Sequence, residues 1–271
     1  MVAERVAADT PGARHLLLLH GMYGRGRNWR VVARMLVERR PDWSYWLADM
    51  RHHGDAPPRA DAGSLDALAQ DIESWAPSAG VMPDAVLGHS FGGKVALAYA
   101  RRQASRPLQT WVIDSTPEDR PPSGSAWDML GIVRALPQVF ESRQEAIAGI
   151  EAGGFSTDVA QWMATNLTRE TDGFRWRLDF DVMEQLLHDF FRTPFWDVLD
   201  PGAAGHDIHV LKASRSRVIS AEAVARLTTL AARSDASHAR VHLHEREGGH
   251  WIHAESPATV AELLAEWLPR S

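Results

Sequence analysis

The most informative stretch of this sequence, residues 86–94, reads Val86-Leu87-Gly88-His89-Ser90-Phe91-Gly92-Gly93-Lys94. Its first residues end an apolar run that is typical of a buried strand, and the residues from Phe91 onward carry apolar side chains at helical spacing. A serine at such a strand-to-helix turn sits on a tight backbone bend, where side chains at Gly88 and Gly92 would clash. The motif alone is weak, but in this context it predicts that Ser90 is a nucleophile, placed at a helix N-terminus that favours negative charge.

Strand-like and helix-like segments alternate on both sides of this motif. Apolar runs predict strands at residues 16–19, 43–48, 85–87, 108–113, 208–211 and 240–244. Apolar side chains at helical spacing predict a helix after Asn28, which is a candidate N-cap, a second helix that begins at Ser64, and further helices at residues 91–101, 221–232 and 257–267. Such alternation predicts a parallel sheet with right-handed crossovers, and strands that are apolar throughout indicate helices on both faces.

The alternation lapses after Thr116-Pro117 and resumes only at the strand of residues 208–211. The stretch between is mainly helical, apart from one strand-like piece at residues 174–178, and it holds Trp127, Trp162, Trp176 and Trp196. We expect residues 117–200 to form a helical cap inserted over a core made of residues 1–116 and 201–271. The alternative is a large helical connection that serves only packing.

The predicted general base is His250, in the segment Gly248-Gly249-His250-Trp251. This segment follows the last predicted strand, so His250 is expected at the carboxyl edge of the sheet, the edge where Ser90 lies. His253 is the nearest alternative, but it is closer to the helix that follows.

Asp114 is the predicted acid that orients the imidazole of His250. It closes the strand of residues 108–113 at the correct edge, and the chain order Ser90, Asp114, His250 is the order that this kind of site uses. The strand of residues 208–211 is instead followed by residues 212–217, which hold no acid. A second interpretation of Asp114 is a cap for the turn that follows it.

Other polar residues near the predicted site receive weaker assignments. Asp207 precedes its strand and belongs to the opposite edge of the sheet. Asp197 and Asp200 are minor alternatives for the acid, and Ser216 is a candidate polar neighbour of the three catalytic side chains.

The loop His20-Gly21-Met22-Tyr23-Gly24 is expected to complete the site. Attack on an ester carbonyl creates an oxyanion, which needs preorganised N–H donors. The backbone amides of Met22 and Phe91 are the predicted donors. Met22, Tyr23 and Trp251 are expected to contact the substrate, and the alternative for the loop is an ordinary glycine turn.

The segment Asp49-Met50-Arg51-His52-His53-Gly54-Asp55 is rich in groups that bind metals. We interpret it as a structural loop, since adjacent histidines point in different directions and rarely ligate one ion together. The sequence shows no other typical metal-ligand spacing. No metal and no cofactor are expected.

Composition narrows the class of protein. The chain has 271 residues, a net charge of −6 and no cysteine. Disulfides, cysteine-bound zinc and a thiol nucleophile are therefore excluded, and a nucleic-acid surface is not expected, because phosphate binding needs a basic stripe. The apolar run at residues 16–19 is too short to span a bilayer. Residues 1–12 lack the features of a secretory signal, so a cytoplasmic location without membrane insertion is expected.

With these residues in view, the chain from about Arg14 onward resembles the α/β-hydrolase superfamily, and more narrowly the small bacterial YbfF-type esterases and their mitochondrial relatives. The resemblance rests on His20-Gly21-Met22-Tyr23-Gly24, residues 49–54, residues 88–94, Ile113-Asp114-Ser115-Thr116-Pro117, Phe174-Arg175-Trp176 and, most specifically, Gly249-His250-Trp251-Ile252-His253-Ala254-Glu255. It implies the α/β-hydrolase fold with a mostly parallel sheet, and Ser90, Asp114 and His250 in the catalytic positions. Ser115 and Thr116 replace apolar residues, and residues 212–217 lack glycines, so substrate preference is expected to differ.

The resemblance implies a serine carboxylesterase that acts on short- to medium-chain acyl esters, with thioesters such as acyl-CoA as a second substrate class. The expected partner is a small molecule, and the oligomeric state is left open. Three alternatives remain: C–C hydrolysis, lyase or perhydrolase chemistry on the same three residues; a ligand-binding fold without catalysis; and a partner-binding domain. A dehalogenase or an epoxide hydrolase would carry aspartate in place of Ser90.

Overall fold

The computed structural model describes residues 1–7, 13–57, 59–61, 63–203, 205–233 and 237–270. The strands of these residues are β1 (Val2–Ala7), β2 (Arg14–Leu19), β3 (Trp43–Asp49), β4 (Ala85–His89), β5 (Leu108–Ile113), β6 (Leu167–Glu170), β7 (Gly173–Trp176), β8 (His206–Ala213) and β9 (Arg240–Arg246). The α-helices are α1 (Arg30–Arg39), α2 (Leu65–Ser78), α3 (Phe91–Arg102), α4 (Ser125–Ala135), α5 (Arg143–Ala152), α6 (Thr157–Ala164), α7 (Phe180–Arg192), α8 (Trp196–Leu199), α9 (Ala221–Ala231), α10 (Ile252–Glu255) and α11 (Pro257–Trp267).

One sheet dominates the described part of the chain, with the strand order β1-β3-β2-β4-β5-β8-β9. Its strands pair in parallel, except that β1 runs antiparallel to β3 at the edge. The parallel strands are those that the alternating pattern predicts. The edge strand β1 was not predicted, because it is short, its apolar residues are interrupted by Glu4 and Arg5, and its side chains stay at least partly exposed.

The apolar run in β2 shows why this sheet is buried on both faces. Leu17 and Leu19 face a core shared with α2, α3 and α9, whereas Leu16 and Leu18 face a second core shared with α1 and α11. All four side chains have no exposed surface. Because alternate residues of a strand point to opposite faces, an unbroken apolar run is what a sheet between two helical layers requires. Burying one such leucine contributes about 1.5–3 kcal/mol.

The two predicted helix starts had different outcomes. The helix predicted to begin at Ser64 is α2, and Ser64 is its N-cap, since its side chain accepts a hydrogen bond from the Ala67 amide. The prediction for Asn28 was wrong: α1 begins at Arg30 after a 3-10 turn, and its N-cap residue is Trp29, whose side chain makes no capping bond to the helix. The Asn28 side chain instead accepts from the Arg25 amide at 2.7 Å and so stabilises that preceding turn.

The segment between β5 and β8 contains α4 to α8 and the hairpin of β6 and β7. The strand-like piece predicted at residues 174–178 is the second strand of this hairpin. Apolar side chains of the segment, such as Met163, Met183 and Leu186, are buried in the same core as α2 and α3. We refer to residues 117–200 as the insertion.

Two glycines let α3 approach the sheet closely. A Cβ atom on Gly88 would lie 1.9 Å from the Gly92 carbonyl oxygen, and one on Gly92 would lie 2.4 Å from the His20 carbonyl oxygen. Neither backbone can retreat without moving a strand or α3. The sequence motif therefore reflects a steric requirement of the turn.

Gly88→Ala should lower the free energy of unfolding by about 3 kcal/mol or more, because the added methyl group overlaps backbone atoms. Gly131→Ala is the matched control, since a Cβ there meets no atom within 4 Å. In the middle of α4 it should stabilise the protein by about 0.5–1 kcal/mol. Urea denaturation followed by tryptophan fluorescence measures both. Equal stability of the two variants would contradict the steric account.

Candidate active site

Ser90 occupies the turn between β4 and α3 with φ of 51° and ψ of −116°. A positive φ is uncommon for a residue with a side chain and persists only where its surroundings enforce it. Here the Ser90 amide donates to the Ile113 carbonyl at 3.0 Å, and the Ser90 carbonyl accepts from the Gly93 amide at 2.9 Å. These bonds hold the turn against β5 and α3, and Ser90 faces a cavity at the carboxyl edge of the sheet.

His250 lies between Ser90 and Asp114 in the loop that follows β9. Its Nε2 atom is 3.1 Å from Ser90 Oγ, and its Nδ1 atom is 2.6 Å from Asp114 Oδ2. When Nδ1–H donates to the carboxylate, the Nε2 lone pair is left to accept the serine proton. The structure thus brings the three predicted residues into one hydrogen-bonded series.

Asp114 is fully buried and directly follows β5. Its Oδ1 atom accepts from the Ala213 amide at 3.1 Å, and its own amide donates to the Leu211 carbonyl at 2.7 Å. A buried carboxylate is costly unless its oxygens are hydrogen-bonded, and here β8 and His250 each bond one oxygen. The carboxyl end of β8 therefore contributes to the site through its backbone rather than through an acid.

The weaker candidates for the acid lie elsewhere. Asp197 pairs with Arg101 at the surface, and Asp200 pairs with Arg226 and Arg233. The Ser216 hydroxyl bonds within its own loop, where it accepts from the Val218 amide. Of these predictions, Asp114 is the acid that contacts His250.

The two predicted oxyanion donors flank Ser90 from different elements. Phe91 is the first residue of α3, and Met22 lies in the turn that follows β2, which is closed by a hydrogen bond from the Gly24 amide to the Gly21 carbonyl. In the described residues, neither the Met22 nor the Phe91 amide has a hydrogen-bond acceptor within the protein. Both donors are therefore available to a developing negative charge, as the prediction requires.

A cavity of about 470 Å³ lies beside Ser90 and His250. The core contributes the three predicted contact residues, Met22, Tyr23 and Trp251, to its wall. The insertion contributes mostly apolar side chains: Trp162, one of the four tryptophans noted in the sequence, and Ala126, Met129, Phe155 and Val159, which the sequence did not single out. The volume and the lining are those of a small-molecule site.

Tyr23 also joins the core to the insertion, through both its side chain and its backbone. Its hydroxyl donates to the Ala126 carbonyl at 2.8 Å, and its carbonyl accepts from the Asn166 side-chain amide at 2.8 Å. Burial raises the pKa of Tyr23 well above its usual value, so the hydroxyl remains a neutral donor. Tyr23 therefore fixes the position of the insertion as well as lining the cavity.

Buried histidines surround the site. Burial lowers the pKa of His20 to about 4 and the pKa values of His53 and His253 to about 3. His20 shows why the neutral form fits: its Nδ1 bonds the Gly21 carbonyl at 2.8 Å, and its Nε2 accepts from the Met50 amide at 3.2 Å. A second ring proton would face the Met50 N–H group. The rings form a neutral shell behind the catalytic candidates.

His89 is a residue of this shell that the sequence showed but to which we assigned no role. Its Nε2–H group donates to the backbone carbonyl of His250 at 2.7 Å. Its ring is only 3% exposed and lies 4.3 Å from the ring of His253, centroid to centroid. His89 therefore connects the turn of Ser90 to the loop that carries His250. A motif position cannot reveal a bond that spans 161 residues of sequence.

The acidic and histidine-rich loop of residues 49–55 has the structural contacts that we expected. Asp49 accepts from the Gly26 amide at 2.6 Å and from the Asp55 amide at 2.7 Å. Arg51 forms a buried ion pair with Asp71 at 2.7 Å. These bonds engage the carboxylates of Asp49 and Asp71 and stabilise the conformation of the loop.

One group of possible metal ligands lies elsewhere in the described chain, at the opposite edge of the sheet. Asp207, His209 and His242 place their ligand atoms within 4.8 Å of one another. The rings of His209 and His242 are stacked, however, with an angle of 15° between their planes. Their in-plane lone pairs therefore lie in nearly parallel planes and do not converge on one point. Asp207 already lies 3.2 Å from one Nε2 atom and 2.8 Å from the other. Contacts with the Asp207 carboxylate therefore explain why the His209 and His242 side chains lie close together, and no ion is needed to explain their arrangement.

No helix among the described residues combines the length and the apolar character needed to cross a membrane.

Known proteins share this architecture. Residues 16–263 match the alpha/beta hydrolase family. The chain is 26% identical over 273 residues to esterase YbfF of Escherichia coli (strain K12), with 97% of this chain and 98% of that protein covered. It is 24% identical over 263 residues to the sn-1-specific diacylglycerol lipase ABHD11 of Mus musculus, covering 93% and 80% of the two chains. A marine microorganism esterase superposes with a TM-score of 0.81 at 20% identity, covering 98% of this chain and 99% of its own.

These comparisons confirm the α/β-hydrolase fold and the resemblance to YbfF-type esterases that the sequence predicted. The roles of the individual site residues remain predictions.

The neutral histidine shell predicts a loss of stability in mild acid. Because burial depresses the pKa of His20, His53 and His253 in the folded state, the unfolded chain binds more protons below about pH 6.5. The free energy of unfolding therefore has its full value above that pH. It falls as the pH drops towards 4, by up to about 1.4 kcal/mol per pH unit for each histidine. Urea denaturation between pH 7.5 and 4.5 measures this slope. His53→Phe should make the slope shallower, and an unchanged slope would contradict the assignment.

The bond from His89 predicts a graded response to substitution. His89→Leu removes the donor to the His250 carbonyl and should slow labelling of Ser90 by a fluorophosphonate about 10- to 100-fold, because a displaced base activates the nucleophile poorly. His89→Gln keeps an N–H donor at a similar reach and should label within a few-fold of the wild-type rate. If both variants label at the wild-type rate, the bond does not position His250.

Proposed function

The chain belongs to the alpha/beta hydrolase family and is a hydrolase of the esterase and lipase type, and we propose that it is a serine carboxylesterase acting on short- to medium-chain acyl esters or thioesters. The observation that carries the proposal is the series from Ser90 Oγ to His250 Nε2 at 3.1 Å and from His250 Nδ1 to Asp114 Oδ2 at 2.6 Å. A serine hydroxyl is a weak nucleophile until an adjacent base takes its proton.

Acylation begins when Ser90 Oγ attacks the carbonyl carbon of the ester and its proton passes to His250 Nε2. The carbonyl oxygen becomes an oxyanion, which the Met22 and Phe91 amides are placed to stabilise. Asp114 stabilises the imidazolium form of His250 without taking its proton. His250 then protonates the leaving alcohol or thiol as the bond from carbon to that group breaks, which leaves an acyl group on Ser90.

Deacylation repeats the same proton transfers with water. His250 Nε2 takes one proton from the water molecule as its oxygen attacks the acyl carbon. The tetrahedral intermediate collapses when Ser90 Oγ leaves, and His250 returns the proton to it. The products are a carboxylic acid and the free enzyme, and no step needs a cofactor.

The insertion acts as the cap that bounds the acyl pocket. Met129, Phe155 and Val159 supply apolar wall to the cavity beside Ser90. Trp162 from the insertion and Trp251 from the core have ring centroids 6.4 Å apart. An acyl chain that enters between these elements replaces water against apolar surface, which favours binding by about 0.8 kcal/mol for each buried CH₂ group.

A substitution series on p-nitrophenyl esters, from acetate to palmitate, tests the proposed residues. Ser90→Ala and Asp114→Asn should each lower kcat by about three to four orders of magnitude or more, because they remove the nucleophile and the group that fixes the imidazole tautomer. Asp200→Asn is the matched control: its carboxylate pairs with Arg226 and Arg233 away from the site, so kcat should stay within about twofold of the wild type. The chain-length profile reports the size of the pocket.

Two outcomes would count against the proposal. If Asp200→Asn loses activity as deeply as Asp114→Asn, the acid is wrongly assigned. If the wild type reacts with a fluorophosphonate at Ser90 but cleaves no ester or thioester, the residues are active and the substrate class is wrong.

A further inference from the structure

Lys94 is a buried cation for which the proposed reaction gives no role. It lies on α3, one turn after Ser90, and its side chain has no exposed surface. Burial lowers its pKa to about 7. Burying an ammonium group costs several kcal/mol unless its protons are fully hydrogen-bonded, so its contacts must offset that cost.

All three protons of the Lys94 ammonium group have an acceptor, and each acceptor is a backbone carbonyl. The Nζ atom donates to the carbonyls of Glu118 and Phe190 at 2.6 Å and to that of Thr193 at 2.8 Å. The Nζ atom also lies 4.7 Å from the centroid of the Phe190 ring, where the face of the aromatic ring attracts a cation.

These acceptors belong to the two ends of the insertion. The leading stem, residues 117–120, takes the chain out of the core after β5, and Glu118 lies in it. The returning stem, residues 190–195, consists of the last turn of α7 and the residues that follow it, and Phe190 and Thr193 lie in it. The stems also bond each other, since the Arg120 amide donates to the Phe191 carbonyl and the Phe195 amide donates to the Pro117 carbonyl, both at 2.8 Å.

The end of α7 makes this a favourable place for a positive charge. The last carbonyls of a helix lack intrahelical donors, and the helix dipole presents negative potential there. Phe190 is in the last turn of α7, and Thr193 is its C-cap residue. Lys94 therefore satisfies carbonyls that would otherwise be buried without a donor.

We propose that Lys94 is a positioning residue that holds both stems of the insertion against α3 and thereby sets the cap over the acyl pocket. Because Ser90 and Lys94 share one helical turn, the nucleophile and the attachment point of the cap are held in a fixed relation. Lys94 touches neither substrate nor the reacting atoms; it acts through the insertion. The effect on substrate binding rests on the esterase function proposed above, whereas the attachment of the stems does not.

Hydrogen exchange tests the attachment without any substrate. In Lys94→Met, which keeps the apolar stem but removes the donors, the backbone amides of residues 118–120, 190–193 and 195 should exchange at least about tenfold faster than in the wild type, because each lost bond to a charged donor is worth more than 1 kcal/mol. Pro117 and Pro194 have no amide hydrogen and report nothing. Amides of β4 should keep their protection. Lys94→Gln, which keeps two N–H donors, should fall between the two and provides a second variant if Lys94→Met does not fold.

Arg101→Met is the matched control. Arg101 lies on the same helix and donates to the Pro194 carbonyl at 3.0 Å, but it is exposed, and its polar contacts are with the returning stem and with Asp197 of α8 rather than with the leading stem. Its substitution should leave exchange in the leading stem unchanged.

Ester kinetics then test the consequence for the pocket. Lys94→Met should raise KM for the preferred ester about tenfold and leave kcat within about threefold, since a displaced cap weakens binding while Ser90 and His250 keep their contact. Unchanged exchange in both stems would overturn the proposal. Faster exchange with a collapse of kcat and an unchanged KM would also overturn it, because Lys94 would then act on the Ser90 turn. Failure of the wild type to cleave esters would remove the kinetic test alone and leave the exchange result standing.

Discussion

The close approach of two backbones at Gly88 and Gly92 sets the position of every other group in the site. No side chain fits at either residue, because a Cβ atom would meet the Gly92 or the His20 carbonyl oxygen at 1.9 or 2.4 Å. The turn between them holds Ser90 at a positive φ, and the same contact brings the loop after β2 to the start of α3. The nucleophile candidate and its two oxyanion donors are thus placed by one steric constraint.

The rest of the site depends on burying polar groups with partners. Asp114 has no exposed surface and bonds both His250 and the β8 backbone. The surrounding histidines are neutral because burial opposes their charged form, whereas His250 lies between Ser90 and the Asp114 carboxylate and contacts both. A low-dielectric shell of this kind strengthens the few charged contacts that remain.

The insertion joins this site through several polar contacts as well as through packing. Tyr23 donates to Ala126, and Lys94 donates to three carbonyls of the stems. The apolar side chains of the insertion lie in the same core as α2 and α3. A wall of the cavity is therefore built by a segment whose two ends are anchored beside the nucleophile. A change in either anchor alters the pocket without touching the reacting atoms.

The sequence by itself determined the features that depend on local pattern. The strand-to-helix turn at Ser90, the parallel strands and the position of His250 after the last strand all follow from glycine placement and apolar periodicity, which are read over a few residues. The family was predicted from the same short segments, and the comparisons confirm it. Asp114 was predicted because residues 212–217 hold no acid, although that argument already relied on which strand lies beside which.

Only the tertiary structure decided what depends on distant partners. The role of Asn28 was misjudged, because a 3-10 turn before α1 uses its side chain in the bond to Arg25. His89 and Lys94 stand in the motif itself, yet their bonds reach the His250 carbonyl and the stems of the insertion, 24 to 161 residues away. Apart from Trp162, the residues of the insertion that line the cavity were also not identifiable, since the face that an amphipathic helix turns to a ligand is chosen by its neighbours in space. Periodicity encodes which side of an element is apolar, whereas contacts between elements are set by the packing of the whole chain.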